Sequence, residues 1–87
     1  MTFVDLSHDV VRAIVDVLRV KGAAPVLVDA SGIFAVFSAA EGKVDCALMC
    51  IRDGKPCPVE LTVHKRAYDM WRVRSIALLQ ALIEKEV

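Results

Sequence analysis

The chain has 87 residues, enough for one domain spanning 1–87 and no more. Apolar residues make up 56% of it, and 11 Lys and Arg residues balance 11 Asp and Glu residues. A net charge near zero argues against a general polyanion binder, and no run of about 18 uncharged apolar residues is long enough to span a membrane. So small a domain has little interior for that apolar surplus, which predicts self-association.

The first residues lack the basic region and apolar run of a secretory signal. The chain also has three cysteines, an odd number, without a secretion signal. This combination favours a reducing cytoplasm.

Two segments have the apolar spacing of helices. In the first, 5–21, Asp5 or Ser7 can cap the start and Gly22 suits a left-handed C-cap. The second, 64–86, carries one stripe of Tyr68, Trp71, Ser75, Leu78 and Leu82, and further apolar residues beside it. That apolar surface is wider than one core-facing stripe requires, which predicts burial on two sides.

Four strands are predicted between the helices. Residues 26–28 and 33–37 flank a predicted turn at 29–32, and a second break falls at 41–43. Asp53-Gly54 predicts a two-residue hairpin loop within 44–63. The resulting register places one set of apolar side chains on a single face: Val44, Cys46, Leu48, Cys50, Cys57, Val59, Leu61 and Val63.

The predicted fold is therefore α+β, with a four-stranded antiparallel meander in the order 1-2-3-4 between an N-terminal and a C-terminal helix. Both helices are expected on the sheet face lined by Val44, Cys46, Leu48, Val59, Leu61 and Val63. In the predicted register, the N–H positions of Pro56 and Pro58 point away from the partner strand. Because proline cannot donate there, the last strand is predicted to be an edge.

The other face of the hairpin is a candidate interface. Its turn end carries an apolar patch of Ala47, Met49, Ile51, Pro56 and Pro58. Exposed apolar patches on small domains usually mark an interaction surface, here predicted to be that of a homodimer. The alternative is that a helix of the same chain covers the patch.

A second candidate site is a cluster of basic residues, which the fold does not explain. Its members are Arg52, Lys55, His64, Lys65, Arg66, Arg72 and Arg74. Such a cluster could bind phosphate groups or an acidic protein surface, with Tyr68 and Trp71 as stacking partners. The alternative is a solvated helix face whose aromatic residues belong to the core.

The cysteines permit one covalent link and argue against a metal. Cys50 and Cys57 are predicted to lie directly opposite each other, where a disulfide is geometrically possible. Cys46 and Cys50 are about 13 Å apart along one strand, at roughly 3.3 Å per residue. A single zinc ion therefore cannot bind Cys46 and Cys50 at once, which excludes a four-ligand site made of these two residues with Cys57 and His64. No metal or cofactor site is predicted.

No nucleophile motif, phosphate loop or dinucleotide fingerprint is present, which predicts a non-enzymatic protein. The expected function is a small protein-interaction module, homodimeric, that regulates or inhibits a protein partner. Tiny domains without recognisable chemistry are typical of small regulators and of inhibitors encoded by mobile elements or phages. The alternatives are a nucleic-acid-binding regulator that uses 64–74 and a thiol-based redox switch through Cys50 and Cys57.

Overall fold

The computed structural model describes residues 3–28 and 32–85, which form two helices and four strands in the predicted order. They are α1 (His8–Lys21), β1 (Ala23–Leu27), β2 (Phe34–Ala40), β3 (Lys43–Arg52), β4 (Lys55–Pro58) and α2 (Lys65–Lys85). The strands form one antiparallel sheet in the order β1-β2-β3-β4, which confirms the predicted α+β meander. Neither helix in this part of the chain has the length and apolar character needed to cross a bilayer.

Helix α1 begins and ends at the predicted capping residues. The Oγ of Ser7 accepts a hydrogen bond from the backbone N–H of Val10 at 3.3 Å, so Ser7 rather than Asp5 is the N-cap. Gly22 closes the helix with a φ of 74°, and its N–H donates to the Leu18 carbonyl. These caps fix the helix so that Val11, Ile14, Val15 and Leu18 are buried.

Two tight turns set the register of the sheet. Glu41 and Gly42 join β2 to β3, and Asp53 and Gly54 join β3 to β4, all with positive φ. Two successive left-handed residues are the geometry of the type I′ hairpin turn, whose twist matches that of the strands. The second turn confirms the predicted pairing of Cys50 with Cys57. The predicted turn at 29–32 lies mostly outside the described residues.

The core lies between the helices and one face of the sheet. Phe37 and Leu79 are fully buried at its centre, next to Trp71. The Trp71 indole Nε1–H donates to the Val4 carbonyl at 2.8 Å, so the segment before α1 is tied to α2. One buried cluster therefore joins both helices to the sheet.

Three predictions are wrong in detail: where β4 ends, which residues of α2 are buried, and where β1 begins. Strand β4 ends at Pro58, since the chain leaves the sheet to reach α2, and Val63 is 65% exposed rather than in the core. On α2, Leu79 is buried and Leu78 is 46% exposed, one position away from the predicted stripe. Strand β1 starts at Ala23 and includes Pro25, which an edge strand tolerates.

Candidate functional site

The register of the sheet separates its side chains into two faces. Residues directly opposite each other on neighbouring strands share a face. Ala24, Phe37 and Cys46 form one row on the face that packs against the helices, which we call the covered face. The other face, which we call the open face, carries Pro25, Leu27, Phe34, Val36, Ala47, Met49, Ile51, Pro56 and Pro58.

The open face is apolar and has no layer of the described chain packed on it. Leu27 is 71% exposed and Ile51 is 57% exposed. Phe34, Val36 and Met49 are half-buried, yet none of them belongs to the core cluster or packs against it. The patch predicted on β3 and β4 is therefore one side of a larger surface that extends across all four strands.

Polar side chains mark one end of the open face. Ser38 lies opposite Asp45 on the neighbouring strand, and Lys43 follows at the β2–β3 turn. The backbone N–H of Cys46, and then the guanidinium of Arg72, hold the pKa of Asp45 below its usual value. This end therefore keeps a charged carboxylate, and the apolar surface lies towards the β3–β4 turn.

The outer edges of the sheet carry prolines. The N–H of Val28 donates to Ile33, and that of Val59 donates to Leu48. Because hydrogen-bonding positions alternate along a strand, Pro25 in β1 and Pro56 and Pro58 in β4 fall where an N–H would point outward. These positions cannot donate to another strand, which disfavours edge-to-edge association.

Helix α2 covers the part of β3 that extends beyond β4. The side-chain amide of Gln80 accepts from the Val44 N–H at 3.0 Å and donates to the Gly42 carbonyl at 2.6 Å. The Arg72 guanidinium donates to the Cys46 carbonyl at 3.1 Å and pairs with Asp45 at 2.6 Å. Two helical side chains thus occupy backbone groups that an adjacent strand would otherwise use.

The residues of the basic cluster predicted from the sequence come from the β3–β4 hairpin, from α2 and from the residue before α2. Arg72 lies against β3, whereas Arg74 pairs with Asp5 at 2.8 Å before α1. Arg52 and Lys55 are exposed beside the β3–β4 turn. His64, Lys65 and Arg66 are exposed at the start of α2. Arg72 and Arg74 thus have carboxylate partners within the described residues, and the other five members of the cluster are exposed.

The aromatic residues proposed as stacking partners belong to the core. Trp71 is only 2% exposed and packs against Phe3 and Phe37, with ring centroids 5.8 Å apart in each pair. Tyr68 is half-buried, 6.4 Å from the Trp71 ring. The Trp71 ring is therefore not available to stack on a base, and the core interpretation of these aromatics is the correct one.

The three cysteines are free thiols in two environments. Cys46 is buried beside Tyr68, and burial raises its pKa to about 11. Cys50 and Cys57 are half-buried with their Sγ atoms 3.2 Å apart. Residues 3–28 and 32–85 contain no group of three or more metal-ligating side chains.

Four open-face residues escaped the sequence analysis: Pro25, Leu27, Phe34 and Val36. The signal that could have found Phe34 and Val36 is Glu41-Gly42. Read as a two-residue hairpin loop, this dipeptide places Ala40 opposite Lys43, as observed. That register puts Val36 beside Ala47 and Phe34 beside Met49.

Comparison of the chain with protein-family models, with curated proteins and with solved structures found no significant match.

Proposed function

We propose that this chain is a non-enzymatic protein-interaction module that dimerises through its open face and regulates a partner protein by binding it. The observation that supports this proposal is the apolar open face, with Leu27 and Ile51 more than half exposed. A small domain that leaves such a surface in water gains free energy when the surface is covered. We place the module in a reducing cytoplasm, where three cysteines stay free.

A second copy of the chain is the occupant that fits best. The outer edges carry Pro25, Pro56 and Pro58, and α2 covers the free part of β3, so an added strand is disfavoured. Stacking of two sheets face to face needs no edge, and it buries the side chains that point away from the helices. A two-fold axis between the faces would cover both copies at once.

The size of the open face sets the expected strength of the dimer. Four strands about 4.8 Å apart and about five residues long give a footprint of roughly 19 by 17 Å. Interfaces of this size fall in the weak or transient class, below about 1,200 Å² in total. We therefore expect a dimer that dissociates on dilution, so that a partner with an apolar surface can compete for the same face.

Light scattering after size exclusion, in reducing buffer, tests the proposal. The wild type should have twice the 9.5 kDa mass of one chain at high concentration. It should keep that mass at high salt, because the contact is apolar. Met49→Asp puts a charge in the middle of the open face and should give the mass of one chain at every concentration.

Val20→Asp is the matched control, since Val20 is 82% exposed on α1, away from the open face. This variant should keep the dimer. A wild type that is monomeric at every concentration would contradict the proposal, and so would a folded Met49→Asp variant with an unchanged mass. A stable complex with a different protein through Met49 would make that protein, rather than a second copy, the main occupant.

Nucleic-acid binding through the basic cluster remains the other candidate, with less support. Arg72 and Arg74 have carboxylate partners, and Trp71 lies in the core. The exposed cations beside the β3–β4 turn and at the start of α2 still permit a contact with phosphates. Binding to nucleic acid that weakens steeply with salt would favour this candidate.

A further inference from the structure

The β3–β4 hairpin holds two thiols in contact. Cys50 and Cys57 lie directly opposite each other, with 3.2 Å between their Sγ atoms. Residues in this position have Cα atoms about 5.5 Å apart, within the range that a disulfide spans. Both side chains are half-buried, whereas the third thiol, Cys46, is buried in the core. The pair thus combines bonding geometry with access from solvent.

The strand that carries Cys57 is the least supported element of the sheet. Strand β4 has four residues, and of the helices and strands in the described part of the chain it contacts β3 alone. Its ladder ends where the Val59 N–H donates to Leu48. An edge strand with two prolines and no helix against it is expected to open locally more often than the core strands. Such opening exposes both sulfurs.

We propose that Cys50 and Cys57 form a modification site for low-molecular-weight disulfides, which convert the dithiol into an intrachain disulfide. One protein thiolate attacks a sulfur of the reagent and releases one reagent thiol, leaving a mixed disulfide. The second protein thiolate then attacks the protein sulfur of that mixed disulfide and releases the second reagent thiol. The protein loses two electrons and two protons, and the reagent gains them.

The rate of this exchange should depend on pH. The hydrogen bond with Cys57 raises the pKa of Cys50 above its ordinary value. Since only the thiolate attacks, oxidation should be slow at neutral pH and should become faster as the pH rises.

The crosslink would act on the open face, and this step rests on the proposed function. Met49, Ile51, Pro56 and Pro58 project from the opposite side of the same two strands. A bond between Cys50 and Cys57 holds these strands together and removes the open conformations of the hairpin. Because a surface that is already ordered loses less entropy on binding, the oxidised chain should dimerise several-fold more tightly than the reduced chain.

The test treats the reduced protein with oxidised glutathione, unfolds it and counts free thiols, with intact mass measured in parallel. We expect the three thiols of each chain to fall to one and the mass to drop by two hydrogen atoms. Cys46→Ala should still form the link, and Cys50→Ser should not. Three persistent thiols, a stable glutathione adduct on the wild type or a crosslink between chains would overturn the proposal.

Repeating the oxidation on Met49→Asp separates this inference from the dimer. Met49 is on the open face and does not share a side of the sheet with the thiols. A disulfide that forms equally well in Met49→Asp is a property of the hairpin, whether or not the chain dimerises. The dissociation constants of reduced and oxidised wild type then test the link between the two, and equal values would overturn it.

Discussion

The covered and open faces of the sheet are built from the same four strands, and both are apolar. On the covered face, Phe37 is fully buried between the sheet and α2. Three residues earlier on the same strand, Phe34 projects from the open face and lies outside the core cluster. Antiparallel sheets with one solvated face usually alternate apolar and polar residues along each strand. Here the alternation is lost towards the β3–β4 turn, and this loss is the pattern on which the proposed interface rests.

Alanine at the two phenylalanines gives the largest expected effect and the most direct test of this comparison. Phe37→Ala should lower the free energy of unfolding by about 3–5 kcal/mol, since it leaves a cavity in the core. Phe34→Ala should cost the monomer less than about 1 kcal/mol, but it should weaken the dimer. Chemical denaturation at dilute, monomeric concentrations measures the first effect, and light scattering measures the second. Equal losses of monomer stability would mean that Phe34 contributes to the core of the monomer as much as Phe37 does.

Removing the helix side chain that pairs with the edge of β3 should lower the free energy of unfolding by a smaller amount. Gln80→Ala removes the acceptor of the Val44 N–H and should cost about 1–3 kcal/mol, the usual penalty for an unpaired backbone group out of water. Arg74→Ala is the control from the same helix. It removes an exposed ion pair with Asp5, which is worth less than about 1 kcal/mol. If the Gln80 variant has the same free energy of unfolding as the wild type, water takes the place of the Gln80 side chain. In that case α2 does not protect this edge.

Raising the pH into the alkaline range should lower the stability of the fold gradually, and this is the smallest of the expected effects. Burial raises the pKa of Cys46 from 9.0 to about 11 and that of Tyr68 from 10.0 to about 12. The folded state therefore binds these protons more tightly than the unfolded chain does. The resulting stabilisation is complete below pH 9 and is lost as the pH rises through the folded values. The denaturant concentration at the unfolding midpoint should decrease as the pH is raised from about 9 to about 11. The decrease should be smaller in Cys46→Ala. A constant midpoint over this range would show that the covered-face thiol is open to water.

Most of the fold could be predicted because local signals agree with one another. The caps at Ser7 and Gly22 and the Asp53-Gly54 turn act over a few residues, and each is seen in the structure. The boundaries that failed depend on distant contacts. Where β4 ends, and which side of α2 faces inward, depend on how Arg72 and Gln80 meet the edge of β3. No periodicity within α2 encodes that contact.

Only the β3–β4 side of the candidate site was predicted, for a related reason. The Asp53-Gly54 loop gives the β3–β4 register directly, so Met49 and Pro58 could be assigned to one face. Extending that face to Leu27 and Phe34 also requires the two earlier pairings, and the β1–β2 connection includes residues outside the described part. The ion pair of Arg74 is likewise a tertiary contact that sequence spacing does not predict, because Asp5 comes from the segment before α1.

The hydrogen bond between Trp71 and Val4 has a consequence for the order of events during synthesis. It joins positions 67 residues apart, and α2, which supplies Trp71, follows all the other described elements in chain order. Until α2 emerges, the covered face has only α1 against it, and the free edge of β3 has neither Arg72 nor Gln80. The nascent chain therefore presents the open face, a covered face that only α1 shields, and an unprotected strand edge at once. Transiently exposed apolar surface and unpaired strand edges promote aggregation, so this region is most exposed to that risk before Trp71 docks.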